Sequence, residues 1–193
     1  MKFEDLKKYN FILASKSPRR QFLLKDLGLD FTIHTKEVDE SFPADLKAEQ
    51  IPLYLCEKKA AAFDSELNEN DIVITADTIV WIENNVLNKP ENFEDAVRML
   101  KLLSGKMHEV FTGVCLKSKY KTTSFYARTN VYFKTLTDDE IEYYISNFHP
   151  YDKAGAYGAQ EWIGYIAVEK IEGSYFNVMG LPLKELYEEL LKF

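Results

Sequence analysis

The segment D-I-V-I-T-A-D-T-I-V-W-I, residues 71–82, is the strongest strand candidate in this chain of 193 residues. Residues 72–74 and 79–81 are β-branched or aromatic, and such side chains pack well on a pleated sheet. Between them lies a polar centre, residues 75–78, which contains Asp77. A carboxylate inside an apolar strand is costly unless it has a partner or a metal. Asp77 is therefore a candidate general base or metal ligand, with a strand end that turns into solvent as the alternative.

Apolar runs and turn residues predict further strands and helices on both sides of this segment. The other strands are predicted at 11–14, 31–34, 86–87, 110–116, 122–133 and 163–171. Helices are predicted at 18–27, about 52–67, 93–103, 138–147 and 183–191. Strands and helices alternate, but hairpins are mixed in, which predicts an α/β fold with a mixed sheet. No repeat, low-complexity tract or linker divides the chain, so we expect a single domain over residues 1–193.

The charge balance limits the kind of partner. Lysine and arginine total 24 against 31 aspartates and glutamates, a formal net charge of −7. A general nucleic-acid binder needs a basic face to displace counterions, so this balance argues against one. It does not exclude a small anionic substrate, because net charge says little about a single site.

Cysteine usage and the first residues indicate the compartment. Cys56 and Cys115 are far apart and lack metal-type spacing, so we expect two buried, unpaired thiols. Residues 1–10 are charged and have no apolar core, unlike a secretory signal. No apolar run reaches the roughly 18 residues of a membrane span. A cytoplasmic protein without membrane contact is the expectation.

Residues 15–20, S-K-S-P-R-R, follow a predicted strand and open a predicted helix. Free amides and the positive dipole end at a helix start form an anion site. Ser15, Arg19 and Arg20 add hydroxyl and guanidinium donors that suit phosphate oxygens. The G-x-x-x-x-G-K pattern of a Walker loop is absent. The alternative is an ordinary capped helix with solvated arginines.

Three weaker signals lie elsewhere. Lys89 precedes Pro90 and can reach a phosphate as a point charge, or can be an ordinary surface lysine in a turn. Gln160 ends the glycine-containing segment 152–160, and its amide can read a base edge, unless this is a plain loop. Asp39 lies in an acidic run that local structure does not explain, so it is a candidate metal ligand. The three histidines have no catalytic spacing.

Taken together, these segments resemble the Maf family of nucleoside-triphosphate pyrophosphatases. The resemblance rests on LASKSPRR (13–20), EVDE (37–40), EKKA (57–60), TADTIV (75–80), NKP (88–90), LSGKMHEVFTGV (103–114), DKAGAYGAQ (152–160) and GSYFNVMGLPL (173–183). These motifs follow the order of the family and cover nearly the whole chain. The resemblance implies an ITPase-like α/β fold, with a long mixed sheet, flanking helices and a cleft between two lobes.

The resemblance also implies the reaction and the residues that carry it. A member of this family hydrolyses a nucleoside triphosphate to the monophosphate and pyrophosphate with a divalent metal, Mg²⁺ or Mn²⁺. By this resemblance Asp77 is the catalytic proton acceptor and, with Asp39, a metal ligand. The phosphate-binding positions are Ser15, Arg19, Arg20, Lys58 and Lys89. A homodimer is expected on the same ground.

The resemblance further points to pyrimidine substrates. The dTTP/UTP branch of the family is similar to this chain in Thr78, directly after Asp77, and in Gln160, with Arg19 as the third specificity position. We therefore expect dTTP and UTP, including modified forms, as substrates of a house-cleaning enzyme. Two alternatives stay open at this point. One is a pyrophosphatase for purines such as ITP or 7-methyl-GTP, and the other is a nucleotide-binding regulator of septum formation with little turnover.

Overall fold

A computed structural model describes residues 2–193, which form a seven-stranded sheet and its connecting helices. The strands are β1 (Asn10–Leu13), β2 (Phe31–Ile33), β3 (Asp71–Ile82), β4 (Asn85–Leu87), β5 (Met107–Lys117), β6 (Thr122–Phe133) and β7 (Val168–Glu172). The α-helices are α1 (Pro18–Asp26), α2 (Gln50–Ala61), α3 (Phe93–Leu103), α4 (Asp138–Phe148), α5 (Trp162–Ala167), α6 (Tyr175–Met179) and α7 (Leu183–Lys192). Short 3₁₀ helices occupy Phe3–Lys8, Pro150–Asp152 and Ala154–Ala156.

The sheet is mixed. Its strand order is β2-β1-β3-β5-β6-β7, and β4 pairs with β3 outside this path. Strand β1 runs parallel to both β2 and β3, with Leu13 opposite Ile33 and Ile74. Strands β3 and β4 are antiparallel, as are β6 and β7. The predicted α/β fold with a long mixed sheet and flanking helices is confirmed.

Strand β3 has the bounds that the sequence predicts. Its residues are buried except near the centre, where Asp77 and Thr78 are partly exposed, and at Trp81. Because the strand continues to Ile82, Asp77 lies in the middle of an apolar strand and not at an end that turns into solvent. A carboxylate held at such a position needs a nearby cation or donor.

The predicted strand at 163–171 is wrong in its first half. Helix α5 occupies Trp162–Ala167, and only Val168–Glu172 forms a strand. Ile163 and Ala167 are both buried while Tyr165 between them is exposed, which is the spacing of one helix face. The glycine and alanine of this stretch weaken the strand interpretation that its isoleucines suggest.

The predicted helix at 52–67 ends earlier, at Ala61 in α2. Beyond it the backbone forms tight turns, in which Phe63 N–H donates to Ala60 and Asp64 N–H donates to Ala61. These bonds to the third residue back tighten the chain and stop the regular helix.

Contacts divide the chain into two compact units. The first comprises the described residues up to Asp77, together with Thr112–Ala127 and Gly180–Phe193. The second comprises Thr78–Phe111 and Arg128–Met179. The expectations of one domain over residues 1–193 and of a cleft between two lobes stay predictions. None of the helices within residues 2–193 is long and apolar enough to cross a membrane.

Close packing in the first unit fixes helix α2 on the sheet. A Cβ atom added at Gly113 of β5 would lie 2.5 Å from the carbonyl carbon of Pro52, so only glycine allows this approach. The Thr75 hydroxyl on β3 donates to the Cys56 carbonyl at 2.7 Å. Cys56 and Cys115 are buried and unpaired, as predicted, and burial raises the pKa of each thiol. Both cysteines are therefore packing residues.

The core of the second unit contains a buried histidine. His108 on β5 is 1% exposed, and its Nε2 lies 2.7 Å from the Tyr157 hydroxyl. The rings of Phe133 and Tyr157 meet the imidazole edge-on. Burial lowers the pKa of His108 to about 3. This contact ties β5 to the segment that leads into Gln160.

The buried imidazole predicts a specific acid dependence of stability. In the unfolded chain a histidine binds a proton below its ordinary pKa of about 6.5. Folded His108 stays neutral down to about pH 3, so the unfolded state binds more protons between these values and stability falls as pH falls. Over this window His108→Phe is expected to flatten the pH dependence by up to about 1.4 kcal/mol per pH unit. Urea unfolding of both proteins at several pH values measures the slopes, and equal slopes would contradict the assignment.

Candidate functional site

The centre of the candidate site is an ion pair between Asp77 and Lys59. The Asp77 Oδ1 atom lies 2.6 Å from Lys59 Nζ, and the two side chains are 15% and 17% exposed. The same Nζ lies 2.8 Å from Oε1 of Glu40. One ammonium group therefore joins two carboxylates, which gives the mid-strand aspartate the cation that its position requires.

Helix α2 presents two consecutive lysines to two different acidic groups. Lys58 Nζ lies 3.1 Å from Asp39 Oδ2 and 3.1 Å from the Ser41 carbonyl. Hydrogen bonds from the Ser41 hydroxyl and amide, with Lys58 adding to them, lower the pKa of Asp39 to about 2. Asp39 is 70% exposed and Lys58 29%, so this is a surface pair, unlike the one at Lys59.

The start of α1 supplies the other cationic groups. Ser17 occupies the N-cap position but its side chain makes no capping bond, while Ser15 Oγ accepts the Ser17 N–H at 3.2 Å. Arg20 Nε donates to the Gly180 carbonyl at 2.8 Å, which holds the half-buried guanidinium in place. Burial lowers the pKa of Arg20, and the neighbouring Asp77 opposes this shift. Arg20 and Asp77 are thus electrostatic neighbours within the first unit.

The first unit brings together most of the predicted phosphate-binding residues and adds two. The charges of Arg19 and Glu40 also influence the pKa of Arg20, so both residues belong to the same cluster as Ser15 and Asp77. The family motifs predict Lys58 and Asp39, whereas Lys59 contacts Asp77 and also contacts Glu40. Helical spacing could have indicated that Lys59 points toward the sheet, since it lies three residues after buried Cys56 and next to buried Ala60.

The second unit holds the remaining predicted residues. Thr78 follows Asp77 in β3 and is partly exposed. Lys89 is exposed in the segment after β4, and the preceding Asn88 carbonyl accepts the Gly155 N–H at 3.1 Å. The segment of Lys89 therefore lies beside the glycine-containing segment that leads to Gln160. The Gln160 carbonyl accepts a hydrogen bond from the Tyr165 hydroxyl at 2.8 Å.

The acidic groups suit a cation that is shared with a substrate. Among residues 2–193 no three histidine, cysteine or acidic side chains are grouped as a complete metal site. Mg²⁺ is usually held by one or two carboxylates, while substrate phosphates and water supply its other ligands. Asp77 and Glu40, both in contact with one ammonium group, form such a pair of oxygen donors. The donor set fits Mg²⁺ or Mn²⁺, and the predicted ligand Asp39 instead contacts Lys58 and Ser41.

Comparison with known proteins identifies the family. A family model described as "Maf-like protein" matches residues 10–193. The chain belongs to the Maf-like family. The family expected from the sequence motifs is thereby confirmed, and the match covers nearly the whole chain.

Two relatives of this Maf-like chain carry the same name. A protein of Flavobacterium johnsoniae named dTTP/UTP pyrophosphatase is 56% identical over 187 residues, which are 97% of this chain and 96% of the relative. One from Bacteroides thetaiotaomicron with that name is 53% identical and covers 97% of this chain and 98% of its own. Among solved structures, the Staphylococcus aureus Ham1 protein is 14% identical with a TM-score of 0.47, and the match covers 64% of this chain and 71% of that one.

The two lysines of α2 predict unequal effects of substitution. Lys59→Met removes the cation that Asp77, 15% exposed, and Glu40, 54% exposed, share. We expect a loss of about 1–3 kcal/mol in the free energy of unfolding, less than for fully buried pairs. Lys58→Met, the matched control in the same helix, breaks a surface pair and is expected to cost less than about 1 kcal/mol. Urea denaturation measures both, and equal losses would show that Lys59 has no special role.

Proposed function

We propose that this Maf-like chain hydrolyses dTTP and UTP to the nucleoside monophosphate and pyrophosphate. The relatives at 56% and 53% identity, each named dTTP/UTP pyrophosphatase, support this substrate choice. The observation that carries the chemistry is the Asp77 carboxylate 2.6 Å from Lys59, in one cluster with Arg20. A base surrounded by phosphate-binding cations suits hydrolysis of a polyphosphate.

The phosphate chain is proposed to bind at the start of α1. Ser15, Arg19 and Arg20 supply hydroxyl and guanidinium donors, and the Ser17 side chain does not cap the start of α1. Lys59 has three N–H donors, of which Asp77 and Glu40 engage two, so the third is suited to a phosphate oxygen. Lys58 and Lys89 are proposed to bind further oxygens of the leaving pyrophosphate.

Asp77 is proposed as the general base. Its carboxylate would accept a proton from a water molecule that attacks the α-phosphorus, while the bond to the β-phosphate breaks and pyrophosphate leaves. Lys59 holds this carboxylate in a fixed direction through their 2.6 Å contact. A base needs this orientation because proton transfer requires the water within about 3 Å.

A divalent cation, Mg²⁺ or Mn²⁺, is part of the proposal. When bound, it spreads the charge that develops on the triphosphate. Asp77 and Glu40 are the carboxylates placed to hold it, and Asp39 stays a predicted ligand. Asp39 is an anion near neutral pH, and its low pKa of about 2 keeps it charged in mildly acid solution as well.

Base selection is proposed for Thr78, Gln160 and Arg19. The imide edge of thymine and uracil presents one N–H donor between two carbonyl acceptors. An amide such as that of Gln160 both donates and accepts, so it can pair with this edge. Cytosine presents a different order of donors and acceptors and would leave one group unpaired, which is costly in a desolvated site.

A nucleotide panel tests this proposal. Pyrophosphate release would be measured for dTTP, UTP, CTP, ITP and 7-methyl-GTP, each with Mg²⁺, Mn²⁺ or a chelator. We expect turnover of dTTP and UTP that the chelator abolishes. Preference for ITP or 7-methyl-GTP would keep the reaction but overturn the substrate, and tight binding without turnover under any metal would indicate a regulator.

The role of Asp77 gives a separate prediction. Asp77→Asn keeps the size of the side chain but removes the proton acceptor, so kcat for UTP is expected to fall by about 10²–10⁴-fold. Asp30→Asn, an exposed acid outside the cluster, is the control and is expected to keep kcat. The proposed role would be wrong if Asp77→Asn retained wild-type turnover at saturating UTP and Mg²⁺.

We also infer a cytoplasmic location, from the charged first residues and the two unpaired cysteines, and a homodimer, from the family resemblance. Light scattering on the purified chain measures the second directly.

A further inference from the structure

We propose that Glu161 is a positioning residue that fixes Gln160, the residue assigned above to base reading. The inference rests on the proposed function, because it concerns how the same site distinguishes pyrimidines. It is drawn from contacts of Glu161 with Tyr144 and Lys153, all within the second unit.

The Glu161 carboxylate uses both of its oxygens. The Tyr144 hydroxyl donates to Oε2 at 2.5 Å, and Lys153 Nζ lies 3.1 Å from Oε1. Tyr144 is fully buried, Lys153 is 8% exposed and Glu161 is 21% exposed. Charged groups shielded to this degree interact strongly and resist rearrangement. Glu161 therefore has one well-defined position.

The same network holds both ends of the turn that carries Gln160. The Tyr144 hydroxyl accepts the Gly158 N–H at 3.0 Å while it donates to Glu161. The Glu161 N–H in turn donates to the Gly158 carbonyl at 3.0 Å. Because Gly158 and Glu161 flank Gln160 in the chain, the position of its backbone is fixed from both sides.

The side chain of Gln160 is also confined. A Cβ atom added at Gly158 would lie 2.9 Å from Gln160 Nε2 and 2.9 Å from the carboxylate carbon of Glu161. The amide of Gln160 therefore packs over Gly158 beside the Glu161 carboxylate. From helix α5 the Tyr165 hydroxyl donates to the Gln160 carbonyl at 2.8 Å. The backbone of Gln160 is thus held on both sides, and its amide lies against Gly158.

This confinement matters for selectivity. An amide that rotates freely can satisfy either pyrimidine edge, because exchanging its oxygen and nitrogen reverses its pattern. An amide held in one orientation pairs with one pattern and leaves an unpaired group against the other. Preorganisation of this kind increases discrimination without any new contact to the base. Glu161 would thus set base selectivity without touching the substrate.

The test compares two network variants with a matched control. Glu161→Gln removes one of the two carboxylates that pair with Lys153, the other being Asp152 at 2.7 Å, and Tyr144→Phe removes the hydroxyl while keeping the ring. Glu169→Gln makes the same charge change at an exposed position on β7. For each protein kcat and KM would be measured with UTP and with CTP, together with the midpoint of thermal unfolding.

Both network variants are expected to lower the ratio of kcat/KM for UTP to that for CTP by about 10-fold, mainly through a higher KM for UTP. Glu169→Gln is expected to keep the wild-type ratio. An unchanged ratio in Glu161→Gln and Tyr144→Phe, with only a lower unfolding midpoint, would show a merely structural role and overturn the inference. If the wild type itself does not hydrolyse dTTP or UTP, the proposed function fails and this inference with it. An active wild type with unchanged variants overturns the inference alone.

Discussion

An aspartate in the middle of a buried strand must have a cation, and this need shapes the site. Strand β3 places Asp77 between two apolar halves, where an isolated carboxylate would be unstable. Lys59 supplies the cation, with its Nζ 2.6 Å from Asp77 Oδ1. This contact requires α2 to lie against the sheet. The close approach of Gly113 to Pro52 and the bond from Thr75 to Cys56 bring α2 there. The chemistry of the site thus depends on packing several residues away.

The charge distribution explains how an acidic chain can hold a polyanionic substrate. The net charge of −7 is a sum over the whole chain. In the first unit, however, Arg19, Arg20 and Lys59 gather around a small number of carboxylates. The local field of such a cluster decides what binds there, while the overall charge disfavours an extended nucleic acid.

Much of the fold could be predicted because local signals agree with the tertiary structure. Strand β3 and helix α3 have the predicted bounds, and α4 begins at Asp138 as predicted, with a capping box of Thr137 and Glu140 at its start. The stretch at 163–171 was predicted less well, because its isoleucines favour a strand. The buried positions Ile163 and Ala167, however, have the spacing of a helix. Periodicity decides such cases better than composition does.

The site was harder to predict than the fold. The motifs predict Ser15, Arg20 and Asp77, which lie near one another in the first unit, but adjacent lysines and adjacent acids differ only in the direction of their side chains. That direction depends on which face of α2 packs on the sheet, which a motif does not contain. The network of Glu161 could not be predicted for a related reason. Tyr144 and Lys153 are separate in sequence, and both contact Glu161 only after folding.

In the proposed reaction water attacks the α-phosphorus and pyrophosphate leaves. Hydrolysis of UTP in water enriched in ¹⁸O, followed by mass spectrometry of the products, tests this claim most directly. We expect one ¹⁸O atom in UMP and none in pyrophosphate. Label in the pyrophosphate, or products consisting of UDP and phosphate, would contradict it.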